Sequence, residues 1–191
     1  HIADLAGRMS ELAGVDDEVI QQGENVLATF TKVRNEVGNG NNIFDQAAQA
    51  SLDMAAALDQ TGDSGAALQE NVVRIGKALN DPIKGLTALA KVGVTFTEQQ
   101  KDQVKALVES GDILSAQKII LRELQVEFGG MAEASADATS KAAVSWGNFA
   151  EEVGARVLPA VNAVSDWALH TGIPTLGRLA GTVGDVVEPA F

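Results

Sequence analysis

Cysteine is absent from the 191 residues, and so is tyrosine. Without thiols there is no disulfide framework and no thiolate chemistry. Aromatic side chains make up only 4% of the chain, with two tryptophans, which leaves little to stack against a sugar. Basic residues are also scarce: 14 Lys and Arg stand against 26 Asp and Glu, a net charge of −12. The deficit is even, with 13 acids and 7 bases in residues 1–95 and the same numbers in 96–191. No clustered cationic face is therefore available to grip a phosphate backbone, and no specific nucleic-acid partner is expected. Long apolar runs are missing as well. No window approaches the roughly 18 uncharged apolar residues of a membrane helix, and the run from Trp167 to Gly177 contains Pro174 and two glycines. No signal peptide is visible. The chain begins with histidine rather than methionine, which fits an excerpt of a longer protein with His1 as a tag remnant.

What is present is alanine, thirty of it, in a chain that is 46% apolar and long enough to bury a core. Alanine is the best helix former, and Val and Ile are too scattered for strands. The expected class is all-α: consecutive short capped helices packed as a compact unit, followed by a longer heptad-patterned helix. Three segments are expected, with short N-terminal helices in 1–40, a helical core module in 41–130, and a long helix kinked at Pro159 with a loosely ordered tail in 131–191.

Local signals place the helices. Residues 4–13 read as a helix stopped by Gly14, and Asp16-Asp17-Glu18 loads the next N-terminus with favourable charge. That second helix offers Val19, Ile20, Val26, Leu27 and Phe30, with Gly23 weakening its middle. Gly38-Asn39-Gly40-Asn41-Asn42 is a turn; a phosphate loop would need a following Gly-Lys-Ser/Thr. Phe44, Ala48, Leu52, Ala55 and Leu58 keep helical spacing, and Gly62-Asp63-Ser64-Gly65 closes that helix and caps the next. Leu68, Val72, Ile75 and Leu79 form a single-face stripe.

The region 75–130 states its corners most plainly. Asp81-Pro82 sets a capping carboxylate before a proline at the first helical position, where its missing N–H costs nothing. The helix it opens is expected to bury Ile83, Leu86, Leu89 and Ala90. Gly93 is a positive-φ stop. Phe96 holds the hydrophobic-staple position before Thr97, and Thr97 with Gln100 makes a capping box. Gly111 closes one helix and Asp112 caps the next. The faces expected inside are Val104, Leu107 and Val108, then Ile113, Ile120, Leu121, Leu124 and Phe128, up to the Gly129-Gly130 stop.

From 132 to 157, Ala132, Ala136, Thr139, Ala143, Trp146, Ala150, Val153 and Val157 alternate four and three, which is heptad spacing. The predicted packing seam is Ala143, Trp146, Ala150, Val153 and Val157, with Trp146 buried on the 82–130 unit or on a second copy. Membrane-interface anchoring is the other reading of Trp146 and Trp167.

The catalytic inventory is thin. His170 lies at a helix end beside Thr171-Gly172. Paired carboxylates at Asp16-Asp17 and Glu151-Glu152 are adjacent on helices and cannot flank one bond as glycoside hydrolysis requires. No Asp-rich calcium loop and no His-Glu-x-x-His pair occurs. No catalytic, metal-binding or cofactor-binding residue is expected, and the chain does not read as an enzyme.

The phrases GKALNDPIKG (76–85), VGVTFTEQQ (92–100), LVESGD (107–112) and AQKIILRELQVEFGG (116–130) together resemble the core region of the tail tape measure proteins of long-tailed bacteriophages. The match covers roughly residues 40–155. Members of that family are long helical proteins that lie in the tail-tube lumen, set its length and leave ahead of the DNA at infection. The resemblance implies a structural fragment acting in tail assembly, located in the virion tail after assembly in the host cytoplasm. It implies tail-tube and tail-tip proteins and tail assembly chaperones as partners; self-association comes from the seam. Two alternatives stand beside it: a membrane-active segment aiding DNA entry, with 157–191 the part in contact, and a cell-wall hydrolase segment, which the residue inventory disfavours.

Overall fold

The computed structural model describes residues 2–58, 64–136, 140–152 and 155, and they are all-α. Among the described residues, and besides a further helical stretch at 140–152, the helices run α1 Ile2–Ala13, α2 Asp17–Leu27, α3 Ile43–Leu58, α4 Ser64–Asn80, α5 Pro82–Ala90, α6 Glu98–Glu109, α7 Ile113–Phe128 and α8 Met131–Ser135. Extended pairing among the described residues is limited to one isolated bridge, Asn35 with Asn42, which pinches the glycine-rich turn. That turn takes positive φ at Gly38 and Gly40, which glycine adopts without steric penalty.

The chain forms two compact units, His1–Ser145 and Trp146–Phe191. Helices α1–α8 belong to the first, so elements from all three expected segments share one core. Helix α3 is its centre. Ten of its sixteen residues are buried, more than one face of a surface helix supplies, because α4, α7 and α8 all pack on it. Alanines at 47, 48, 50 and 55 keep that crowded helix thin. The predicted stripe of α4 is buried throughout: Leu68, Val72, Ile75 and Leu79 are 2% exposed or less. Burying a Leu or Ile fully is worth about 1.5–3 kcal/mol, so this stripe anchors the unit. Helices α5, α6 and α7 pack on one another in sequence, and α1 with α2 lies against α4 and α8.

Several expectations need correction. Helix α2 ends at Leu27, three residues short of Phe30. The Phe30 ring instead lies over α4 at Gly76, where a Cβ would come within 2.3 Å of it. Ile83 and Ala90 are exposed, while Pro82 and Gly85 take the inner face of α5. The inward face of α5 is therefore 82, 85, 86 and 89, an i, i+3, i+4, i+7 stripe. Leu58, the last position of the α3 stripe, is 37% exposed. The capping signal at 62–65 lies largely outside the described residues, with α4 beginning at Ser64.

The heptad run is not one helix. It breaks at Ala136, which is extended at ψ 114°. At the start of α8 the Ala132 amide donates to Asp53 Oδ1 at 3.1 Å. Ala132 is buried there, and α8 packs on α3. Helix resumes at 140 and runs to 152, with residues 140–145 in the first unit and 146–152 in the second.

Candidate functional site

The features singled out in the sequence are corners, and each can be followed atom by atom. At the α4–α5 corner Asp81 accepts from the Lys84 amide at 3.5 Å, and the Lys84 ammonium lies 2.9 Å from its other oxygen. Those Lys84 contacts hold the Asp81 carboxyl below its ordinary range and raise Lys84. Pro82 follows as the first helical residue.

The α5–α6 corner closes with a Schellman pattern. Gly93, at φ +101°, donates to Ala90 O at 3.2 Å, and Val94 donates to Leu89 O at 3.2 Å. Val94 and Leu89, the two ends of that bond, are both buried. Phe96 is 5% exposed, but its staple counterpart on the next turn is Lys101, so Phe96 packs into the general core instead. The capping box is complete: Gln100 N donates to Thr97 Oγ1 at 3.2 Å, and Thr97 N donates to Gln100 Oε1 at 2.7 Å. Gln100 goes further, its Nε2 donating to Glu123 Oε2 at 2.6 Å on α7. Beside it, the Thr95 amide donates to Glu127 Oε1 at 2.6 Å. One local cap is thus pinned to another helix.

The α6–α7 corner repeats the Schellman arrangement. Gly111, at φ +85°, donates to Val108 O at 3.1 Å, and Asp112 donates to Leu107 O at 2.8 Å. Asp112 then accepts from the Ser115 amide at 3.0 Å, and hydrogen bonding to the Ser115 side chain, with that amide, lowers its carboxyl. At the α7–α8 corner Gly129 caps α7, donating to Gln125 O at 3.0 Å, but the positive φ falls on Gly130 at +81°.

Two residues central to these corners were not singled out in the sequence. Gly85 lets α5 lie directly on α4, since a Cβ there would stand 2.5 Å from Ala78 O. Gln117, 2% exposed, donates through Nε2 to Lys32 O at 2.8 Å and to Leu79 O at 3.0 Å. It ties α7 to the end of α4 and to the chain following α2. A glutamine on the inward stripe of α7, four residues before Leu121, was the available clue.

The seam does not close on itself. Ala143 and Ala150 are exposed, Trp146 is 71% exposed, and the Trp146 and Phe149 rings lie 5.6 Å apart. Within a single copy the Trp146 ring is therefore solvent-facing. Val153 and Val157 fall outside the described residues, as do His170, Trp167 and the segment 157–191. Among the described residues, no helix is long and apolar enough to cross a membrane.

Chemically active groupings are few. The Asp16, Asp17 and Glu18 carboxylates lie within 4.8 Å of one another at the start of α2. Asp16 accepts from the Glu18 amide at 3.0 Å, and its hydrogen bond with Glu18 pushes that side chain up to about 7. This is a helix cap on an exposed surface. A cleft of about 310 Å³ is lined by Asp45, Asp53 and Gln49 with Leu121 and Leu124, but Asp53 is already committed to Gln49 and the Ala132 amide. No nucleophile with an adjacent base lines it.

No protein family, curated protein or solved structure matches this chain.

Proposed function

We propose that this chain is a folded, non-catalytic structural module of a phage tail tape measure protein. In this reading the parent protein acts in tail assembly and length determination, occupies the tail-tube lumen after assembly in the host cytoplasm, and leaves at infection. One observation carries the reading. The phrases that resemble the tape measure core, around 81–85, 92–100 and 107–112, each coincide with a helix corner whose caps are fully made. What the phrases share is a shape, and the role proposed is accordingly one of shape.

Tail-tube and tail-tip proteins and tail assembly chaperones are the partners proposed with it. The test is made in the phage or prophage that encodes the chain. Purified intact tails should yield peptides from 81–130 by mass spectrometry, and an in-frame deletion of those residues should shorten or abolish tails. Recovery of full-length tails that lack these peptides would sink the proposal.

A further inference from the structure

Glu24 stands on the buried face of α2 beside Ile20, Gly23 and Leu27. It is 2% exposed, and neither carboxylate oxygen accepts a hydrogen bond from the described protein groups. An ion taken out of water without a partner is strongly disfavoured. The charges facing it do not compensate. From α1, Arg8 and the amino terminus favour the ionised form, while Asp45 of α3 opposes it. Helix α4 adds no charge that acts on Glu24, and its Arg74 is paired with Glu70. Burial dominates and, with Asp45, moves the carboxyl from 4.5 to about 7.

Two further observations give this group mechanical meaning. Among the described residues the other buried polar side chain without a partner, Ser10 Oγ, lies on α1, so both belong to the α1–α2 pair. That pair is joined to the rest through the turn at 38–42, whose Gly38 and Gly40 take positive φ. We infer that Glu24 is a proton-operated latch: neutral, it lets α2 seat on α4, and ionised, it loosens the α1–α2 layer from the rest of the unit. The inference stands apart from the tail-assembly reading.

The sign follows from linkage. A carboxyl whose folded value lies above its unfolded one is most favourable to folding below the unfolded value, and that contribution is lost as pH rises toward and through the folded value. The window is therefore from about pH 4.5 to about pH 7. Denaturant unfolding of the whole chain and of Glu24→Gln is compared at pH 5 and pH 8, with amide exchange followed by mass spectrometry. The ratio of variant to wild-type folding constants should rise roughly fiftyfold between the two pH values. Protection of α1 and α2, corrected for intrinsic rates, should fall in the wild type and not in the variant, while α7 stays protected. A ratio independent of pH, or a loss of protection shared equally by α7, overturns the latch. Should Glu24→Gln fail to fold, Glu24→Met provides the same comparison.

Discussion

Helices α5–α7 and the pair α1–α2 both bury apolar stripes, yet they are held in opposite ways. The corners in 81–112 are each closed by polar capping bonds, and Gln100, Glu123, Glu127 and Gln117 carry further bonds across to other helices. The α1–α2 pair buries Leu5, Ala6, Met9, Ile20 and Leu27, and the buried polar side chains without a partner among the described residues, Ser10 and Glu24, lie on it. Buried polar networks specify a single arrangement when complete and weaken it when incomplete. One region is therefore built to keep its geometry and the other to yield first.

Glycine at the two helix contacts gives the sharpest break in this comparison. Gly85→Ala sets a Cβ 2.6 Å from the Ala78 Cα and closer still to its carbonyl, and backbone cannot step aside as a side chain can. It should cost about 3 kcal/mol. Gly23→Ala meets only the Val72 methyl at 3.2 Å and the Leu68 side chain beyond it, and alanine gains about 1 kcal/mol in helix propensity. It should be close to neutral. Equal losses from the two substitutions in denaturant unfolding would erase the distinction drawn here.

Gln117→Leu ranks next. The side chain is isosteric enough to fill the space, but the Lys32 and Leu79 carbonyls lose their shared donor. A buried carbonyl without a partner costs about 1–3 kcal/mol, and because these two share one donor a loss of about 2 kcal/mol is expected. Exchange protection at the end of α4 should fall with it. A neutral outcome would mean that the caps alone hold the corners.

These residues also mark where the sequence is legible. Asp81, Thr97, Gln100, Gly111 and Asp112 act within three or four positions of themselves, so their roles could be read from neighbouring letters. Gly85 matters because of Ala78 on the preceding helix, and Gln117 because of a carbonyl 85 residues away. The seating of Ala132 on α3 depends on Asp53, 79 residues earlier, and heptad spacing alone contains no trace of it. Glu24 has the same character: an acid at an inward position of α2 looks like an ordinary helix residue until α1, α3 and α4 surround it. Composition shows only that histidine, cysteine and aromatic residues are scarce, and the buried acid required the fold.

Thr97→Ala removes one half of the capping box and should cost about 1 kcal/mol. The Gln100 side chain still reaches Glu123, which limits the damage to the helix start. A loss indistinguishable from zero would show that the link to α7, and not the box, fixes the start of α6.

The smallest effect is expected at Trp146, and it tests the region that belongs to neither pattern. With 71% of its surface exposed and Phe149 as its ring neighbour, Trp146 is a surface residue. Trp146→Ala should shift unfolding by less than about 0.5 kcal/mol, the usual range for a surface site. In a Trp167→Phe background, which leaves Trp146 as the sole tryptophan, emission should match solvent-exposed indole at low protein concentration. The alanine positions of the seam permit close approach but bury little area at about 25 cal/mol per Å², so any pairing of copies must draw on Trp146 and Phe149. A blue shift that grows with concentration, together with a heavier sedimenting species lost in Trp146→Ala, would establish the seam as an interface between copies. Unchanged emission and a constant mass across the same range would leave it a solvent-facing helix.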